Sequence, residues 1–298
     1  MTRRYSLLGA PSAAGTHGPG QELAPSAVRA AGLVERLRDW GVEVEDHGDL
    51  PVVPFAPDPA NPTKQNVARV IDVVGRVAEA VGELLDGGGT PLVIGGDCTI
   101  TLGVVAAYVR RMPGVGLVYF DGDMDVATPE TTTSGILDTM GMSHLLGRGV
   151  PELAGIGDRM PLLAADHIVA FGYDEREPSA EQRAWLSAQG VDCRPANGMT
   201  DVAAEGLDTW ARLAARSSPV LVHFDVDVID STDLPLADFP HFNEGLRFDA
   251  AMAALRTFCA QSAFAGLVIT EINPLRDPDG TLLERLLDPL TSALAGAS

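Results

Sequence analysis

Short apolar runs alternate with longer amphipathic segments along nearly the whole chain. The short runs predict strands at 5–8, 91–94, 115–120, 167–170, 219–224 and 266–270. The longer segments predict helices at 63–85, 99–111, 180–189, 202–215, 249–261 and 282–295. This alternation is typical of a parallel sheet with helices on both faces. We therefore predict an α/β fold of three layers, α/β/α, around a central and mainly parallel sheet.

The chain shows no internal repeat, low-complexity linker or long charge run that would divide it, so we expect one domain over residues 1–298. Pro- and Gly-rich segments predict loops at 9–25, 51–62, 129–157 and 231–245. Loops of this length inside a compact domain are usually functional. Because ligands of an open parallel sheet bind at the carboxyl ends of its strands, we expect the site where the last two loops begin.

Acidic residues outnumber basic ones, 41 Asp and Glu against 21 Lys and Arg, which gives a formal net charge of −20. Nucleic acids and anionic membranes bind basic surfaces, so we expect neither as a partner. No apolar run approaches the length of a membrane span, and no signal-peptide pattern is visible. The cysteines Cys98, Cys193 and Cys259 have neither disulfide nor zinc-site spacing, which favours a cytoplasmic protein.

Two predicted strands run directly into clusters of aspartates. Asp121, Asp123 and Asp125 follow the strand at 115–120, and a period of two predicts that all three point to one side. Asp225 and Asp227 repeat this pattern at the end of the strand at 219–224. A single aspartate at a strand end commonly caps a turn, but two such clusters at one edge of a sheet indicate a shared site.

Five carboxylates close together cannot all stay ionised without partners, because desolvation and mutual repulsion both disfavour the charged forms. Either protons or cations must neutralise them. Two divalent cations that share bridging carboxylates would do so, and such pairs activate water for hydrolysis. The pattern therefore predicts a metal site that contains these aspartates.

Five motifs in order resemble those of the arginase/agmatinase (ureohydrolase) family. They are Gly-Gly-Asp-Cys-Thr at 95–99, the aspartate cluster at 121–125, Thr-Thr-Thr-Ser-Gly at 131–135, Phe-Asp-Val-Asp at 224–227 and Glu-Ile-Asn-Pro at 271–274. Gly-Pro-Gly at 18–20 and the segment 28–33 are similar to the opening of that family. The likeness therefore covers nearly the whole chain.

The resemblance implies an arginase-like fold, a homo-oligomer of three or six subunits and a two-manganese site that hydrolyses a guanidino or related amidino compound. One ion would be held by Cys98, Asp121, Asp125 and Asp225, and the other by Asp121, Asp123, Asp225 and Asp227. Asp125 is also placed among the catalytic residues. Three residues would lie on the substrate side: Ser134, Glu177 and Glu271. Of these, Glu271 would pair with the cationic head of the substrate.

The chain departs from the family at two predicted metal ligands. The family has His where this chain has Cys98 and again where it has Asp123. Thiolate suits softer ions such as Zn²⁺ and carboxylate suits Mn²⁺, so both residues can still bind metal. The extra negative charge weakens the pull of the ions on bound water. The substitutions leave open whether two ions, one ion or none bind.

A further departure concerns the proton donor to the leaving amine, for which the family carries a His in this region. The motif at 131–135 places Asp138 or Met140 there, and Asp138 serves as an acid only if burial raises its pKa. His144 and His241 in neighbouring loops are alternatives. His223 either lines the floor of the site or is a core histidine. Ala127 stands where arginases have an Asn that holds the substrate carboxylate, which argues against L-arginine as the best substrate.

These residues predict a metal-dependent hydrolase that cleaves a linear C–N bond of a guanidino or amidino compound and releases urea. The alternative is a member of the family that has lost hydrolysis and acts as a metal- or ligand-binding regulatory protein. Loss of both histidine ligands and of the proton-donor histidine motivates that alternative.

Overall fold

The computed structural model describes residues 4–296, which form one eight-stranded sheet flanked by helices. The strands are β1 (Arg4–Ala10), β2 (Glu43–Asp49), β3 (Thr90–Gly95), β4 (Gly116–Phe120), β5 (Ile168–Phe171), β6 (Asp192–Arg194), β7 (Val220–Asp225) and β8 (Phe264–Thr270). All neighbouring strands are parallel, in the order β2-β1-β3-β8-β7-β4-β5-β6. The predicted α/β class and central parallel sheet are confirmed.

The helices lie on both faces of this sheet. They are α1 (Ala24–Ala30), α2 (Leu33–Asp39), α3 (Val67–Asp86), α4 (Ile100–Arg111), α5 (Gly141–Leu145), α6 (Pro151–Ala154), α7 (Ala180–Gln189), α8 (Val202–Ala214), α9 (Phe248–Cys259) and α10 (Thr281–Ala295). One apolar core packs helices α1, α2, α8, α9 and α10 against one face of the sheet. A second core packs helices α3, α4, α5, α6 and α7 against the other face. The three layers α/β/α are therefore present.

The side chains of the central strands alternate between these two cores. In β4, Val118 and Phe120 belong to the first core, whereas Leu117 and Tyr119 belong to the second. Because both faces are covered, the central strands are apolar at successive positions instead of alternating with polar ones. This is why short apolar runs identified them in the sequence.

Sequence patterns also predicted helices that the structure contains. The predicted helix at 180–189 coincides with α7, where Ser179 and Gln182 form a capping box and Gly190 ends the helix in the left-handed conformation. In α3 the valines repeated at three and four residues, such as Val70, Val74 and Val77, are buried. The buried face predicted for this helix is confirmed.

Two strands and several short helices were missed. Strands β2 and β6 lie at the two edges of the sheet, where half of the strand faces solvent, and their sequences contain Asp, Glu and Arg instead of apolar runs. The loops predicted at 9–25 and 129–157 are wrong in part, because the first contains the start of α1 and the second contains α5 and α6. None of the helices in residues 4–296 is long and apolar enough to cross a membrane.

Candidate metal centre

A small cavity opens at the carboxyl ends of β3, β8, β7 and β4, which are consecutive strands in the sheet. About 290 Å³ of space between the protein atoms belongs to it, part of which is open to solvent. Its lining consists of Cys98, Asp121, Asp123, Asp125, Asp138, Thr139, Asp227, Phe239 and Glu271. Because none of these lining residues is a Lys or an Arg, the cavity is strongly anionic.

The first aspartate cluster lies in a turn beyond the end of β4. The strand ends at Phe120, so the prediction that strand alternation aligns the three carboxylates is wrong. Instead, Asp121 Oδ1 accepts a hydrogen bond of 2.8 Å from the backbone N–H of Asp123, and the chain then turns back at Asp125. The turn still places all three side chains on the cavity.

The second cluster begins at the last residue of β7. Asp225 is fully buried, and its Oδ1 accepts a hydrogen bond of 2.9 Å from the N–H of Asp227. Its Oδ2 accepts from the Thr270 hydroxyl at 2.9 Å and from the Cys98 thiol. Asp227 in turn accepts from the N–H of Gly122 at 3.0 Å, which joins the two turns. Asp225 therefore lies beneath the cavity and connects its parts.

Burial and crowding change the acidity of these groups. Desolvation, and then repulsion from neighbouring carboxylates, raise the pKa values of Asp121 and Asp227 well above the usual value near 3.8. The same causes raise the pKa values of the Glu271 carboxyl and the Cys98 thiol. Without cations the cluster therefore retains protons that ordinary carboxyl groups lose.

Two of the acidic residues adopt a backbone conformation that is unusual for residues other than glycine. Asp125 has φ of 51° and Glu271 has φ of 64°, both in the left-handed region. Such a residue costs about 1–2 kcal/mol and is retained where the surrounding structure requires it. The backbone of Glu271 is held by close contacts. Its N–H donates to Gly96 O at 3.0 Å, and Gly96 itself packs so tightly that a Cβ on it would lie 1.9 Å from Ser12 O.

Two buried carboxyl groups in the cavity each have an oxygen without a hydrogen-bond partner among the described residues. Glu271 is 4% exposed, its Oε2 accepts from the Gln21 side chain, and its Oε1 has no partner. Asp138 is 6% exposed, and its Oδ1 has no partner. Burial, and then the nearby Asp97 carboxyl, raise the pKa of Asp138 well above its usual value. A buried polar atom without a partner is costly, so both oxygens indicate a ligand.

His223 lies directly below the cluster and is fully buried. Its Nε2 is 3.0 Å from Asp121 Oδ2 and its Nδ1 is 2.8 Å from Thr101 Oγ1. Burial lowers the pKa of His223 to about 3, so the ring is neutral near pH 7. His223 is therefore the buried, hydrogen-bonded histidine of the second alternative, and it is not among the residues that line the cavity.

The two histidines considered as proton carriers lie in different places. His144 is fully buried, is not among the residues that line the cavity, and burial lowers its pKa to about 4. His241 Nε2 lies 3.4 Å from Asp123 Oδ1, beside the cluster. Burial opposes the charged form of His241, but Asp123 and Asp174 outweigh it and raise the pKa above 6.5. Of the two, only His241 lies next to the carboxylates.

The other predicted substrate residues lie outside the lining of the cavity. Ser134 is half-buried, and its hydroxyl accepts from the N–H of Ile136 at 3.2 Å. Glu177 is exposed, and its Oε2 accepts from the N–H of Met124 at 3.2 Å, behind the first aspartate turn. Ala127 is bound through its backbone N–H to Thr139 O at 3.1 Å.

The sequence analysis missed several residues that contact the site. Thr139 and Phe239 line the cavity, and the ring of Phe239 lies 4.6 Å from that of His17. Tyr119 donates its hydroxyl to Asp125, and Gln21 donates to Glu271 across most of the chain length. Tyr119 had a signal, since it lies in the strand that leads to the aspartates, whereas Phe239 and Gln21 lie in segments without periodicity.

Two groups of side chains bring metal-binding atoms together. Cys98, Asp121, His223 and Asp225 form one, and Asp123, Asp227 and His241 form the other. Within each group the ligand atoms all lie within 4.8 Å of one another. Oxygen ligands suit Mn²⁺ and Mg²⁺, and imidazole binds divalent ions of the first transition row. The residues present therefore fit divalent cations. Together with the two unpartnered oxygens, this donor set supports a metal centre.

The chain was compared with proteins of known family. Residues 3–294 match the model of the arginase family. An arginase from Bacillus caldovelox is 29% identical over 279 residues, 91% of either chain. Arginase-1 from Homo sapiens is 29% identical over 282 residues, 92% of this chain and 86% of its own.

Solved structures agree with this match. The native arginase structure from Bacillus caldovelox has a TM-score of 0.89 at 25% identity and covers 100% of this chain and 99% of its own. A formimidoylglutamase from Bacillus subtilis shares the fold, with a TM-score of 0.75 at 18% identity over 99% of this chain and 87% of its own. The resemblance predicted from the motifs is confirmed: this chain belongs to the arginase family.

Proposed function

We propose that this chain is a two-manganese amidinohydrolase that cleaves a linear C–N bond, releasing urea from a guanidino compound or the corresponding amide from an amidino compound. The arginase family to which it belongs is a family of hydrolases. One observation carries the proposal. The cavity of about 290 Å³ combines clustered aspartates with two buried carboxyl groups, Glu271 and Asp138, that each have an unpartnered oxygen. A small anionic cavity of this kind fits a compact cationic head.

The proposed ligands are those predicted from the sequence: Cys98, Asp121, Asp123, Asp125, Asp225 and Asp227. Bound divalent ions would act as Lewis acids that increase the acidity of water and stabilise the negative charge that develops during its attack. Asp225 would be a central ligand, because one of its oxygens accepts from the Cys98 thiol and the other accepts from the backbone N–H of Asp227. His223 holds Asp121 in place from below.

The remaining residues act on the substrate and its protons. Glu271 binds the cationic head through its free Oε1, while Gln21 fixes the other oxygen. Asp125, anchored by the Tyr119 hydroxyl, accepts a proton from the attacking water. Burial raises the pKa of Asp138 well above its usual value, which favours the protonated carboxyl, and this group donates its proton to the leaving amine.

The part of the substrate beyond the guanidino group is recognised at the mouth of the cavity. Ala127 has no side-chain donor for a carboxylate, and the aromatic ring of Phe239 lines the cavity instead. We infer a substrate other than L-arginine, although relatives of this chain are named arginases. Ser134 and Glu177 lie further out and are proposed to contact the distal end. The trimeric or hexameric assembly and the cytoplasmic location stay predictions.

A substrate screen tests the proposed function. Protein dialysed against Mn²⁺ is incubated with L-arginine, guanidinoalkanoates, guanidinoalkylamines and N-substituted amidines, and urea, ammonia and the product amine are measured. We expect urea and amine from at least one guanidine, faster than from L-arginine. Manganese-loaded protein that binds guanidines but releases no product from any of them would favour the non-catalytic, ligand-binding alternative.

Replacing Asp138 by Asn tests the proton donor, since the amide keeps the shape of the side chain but cannot donate the required proton. We expect kcat to fall by about 10²–10⁴, the usual contribution of general acid catalysis, with little change in KM. A substrate whose leaving amine is an aniline should lose less, because that amine leaves without full protonation. Asp39→Asn on the exposed end of α2 is the control. An equal loss with both leaving groups would contradict the role of Asp138.

A further inference from the structure

His241 lies in the loop between β7 and α9 and turns its ring towards the aspartate cluster. Its Nε2 is 3.4 Å from Asp123 Oδ1, without the geometry of a directed hydrogen bond. Asp123, Asp227 and His241 each offer one ligand atom, and the three atoms lie within 4.8 Å of one another. The predicted ligand set for this part of the site contained aspartates alone, so His241 adds an imidazole to it.

The surrounding backbone fixes this position. His241 O accepts a hydrogen bond of 2.8 Å from the N–H of Ser231, which ties this part of the loop to the segment that follows β7. A Cβ on Gly122 would lie 2.8 Å from His241 Cδ2 and 2.9 Å from its Nε2. The ring therefore packs against Gly122, the residue between Asp121 and Asp123 in the sequence, where a side chain would clash with it. On the far side, Nδ1 lies 3.9 Å from Asp174 Oδ2.

A second observation concerns buried polar atoms in the cavity that Asp123 and Asp227 line. Asp138 Oδ1 and Glu271 Oε1 are buried in the same cavity and have no partner among residues 4–296. His241 Nε2 likewise has no directed partner. Asp123 and Asp227 line the same cavity as Asp138 and Glu271, and buried oxygens without a partner are expected where a cation and a polar substrate bind.

We propose that His241 is a metal ligand, which together with Asp123 and Asp227 holds one of the two ions. The assignment rests on the proposed two-ion function and names a ligand that the motif-based set does not contain. Two carboxylates and one neutral imidazole balance the charge of a divalent ion. The imidazole adds a nitrogen donor without adding charge, so a loop after β7 supplies the kind of ligand that the family has at the position of Asp123.

Manganese binding to the whole protein tests the assignment without reference to turnover. Metal-free wild-type protein, His241→Ala and His47→Ala are titrated with Mn²⁺, and bound metal is measured by elemental analysis after equilibrium dialysis. His47 is an exposed histidine on the edge strand β2 and serves as the matched control. We expect two ions in the wild type and in His47→Ala. In His241→Ala we expect one ion, with the second weakened at least ~10-fold.

Electron paramagnetic resonance of the same samples gives an independent signature. Two adjacent Mn²⁺ ions give a broadened, exchange-coupled spectrum, whereas a single ion gives a resolved hyperfine pattern. At the metal concentration that fills both sites of the wild type, His241→Ala should show the spectrum of a single ion. His241→Gln should resemble His241→Ala, because an amide is a poor substitute for the imidazole nitrogen.

The outcomes separate this assignment from the proposed function. Wild-type protein that binds fewer than two ions would overturn both. Two ions in His241→Ala, with wild-type affinity and a coupled spectrum, would overturn the assignment alone. If that variant kept both ions but lost turnover, and added imidazole restored it, His241 would be a proton carrier instead of a ligand, which also contradicts the assignment.

Discussion

Asp225→Asn is expected to abolish metal binding and to lower turnover by about 10³-fold or more. Asp225 lies at the centre of the cluster, where its Oδ2 accepts from Cys98 and Thr270 and its Oδ1 accepts from Asp227 N–H. The amide has the same shape but one acceptor fewer and no charge, so it cannot bridge two cations. The Lewis acidity of bound ions lowers the activation free energy by several kcal/mol, and its loss corresponds to this decrease in rate.

The stability of the variant distinguishes a functional loss from misfolding. Removing one negative charge from a crowded, buried cluster relieves repulsion, so metal-free Asp225→Asn should be at least as stable as the metal-free wild type. Asp201→Asn is the matched control, because Asn caps the start of α8 as well as Asp does. Thermal unfolding with and without Mn²⁺ and steady-state turnover are measured for all three proteins. A variant that still binds two ions would contradict the central position of Asp225.

Manganese is expected to stabilise the protein far more at pH 8 than at pH 5. In the metal-free protein, burial and repulsion raise the pKa values of Asp121, Asp125, Asp227 and Glu271. The folded state then holds protons that the unfolded chain loses near pH 4, so this contribution to the free energy of unfolding falls as pH rises above about 4. Protons and cations compete for the same oxygens, so Mn²⁺ replaces the lost protons at higher pH.

The size of this effect follows from mass action. At a free metal concentration 100-fold above Kd, one ion adds about 2.7 kcal/mol, which raises the Tm of a chain of this size by roughly 4 °C. We expect such a shift between manganese and chelator at pH 8, a small shift at pH 5, and no shift at either pH in Asp225→Asn. A shift of equal size at both pH values would contradict proton and cation competition at this cluster.

The fold could be predicted from the sequence wherever burial left a periodic signal. The central strands and the helix α3 were identified for this reason, since both faces of the sheet are covered and the repeated valines of α3 are buried. The edge strands β2 and β6 were missed because they are partly exposed and carry charged side chains. Propensity says little about a short strand whose position is set by its neighbour.

The carboxylates of the site could also be predicted, since Asp121 and Asp225 directly follow apolar strands. Their arrangement could not. The positive φ values of Asp125 and Glu271 and the contact of Gln21 with Glu271 depend on tertiary structure. His241 lies in a loop without periodicity, and only the folded chain places it beside Asp123. Contacts between distant loops leave no local pattern in a sequence.

The central claim is that the buried carboxylate cluster is a two-ion centre. Anomalous diffraction at the manganese absorption edge, from crystals of the protein loaded with Mn²⁺, tests it most directly. The account predicts two peaks inside the cavity, one beside Cys98, Asp121 and Asp225 and the other beside Asp123, Asp227 and His241. Crystals that show no manganese peak in this cavity, or peaks only elsewhere on the protein, would contradict it.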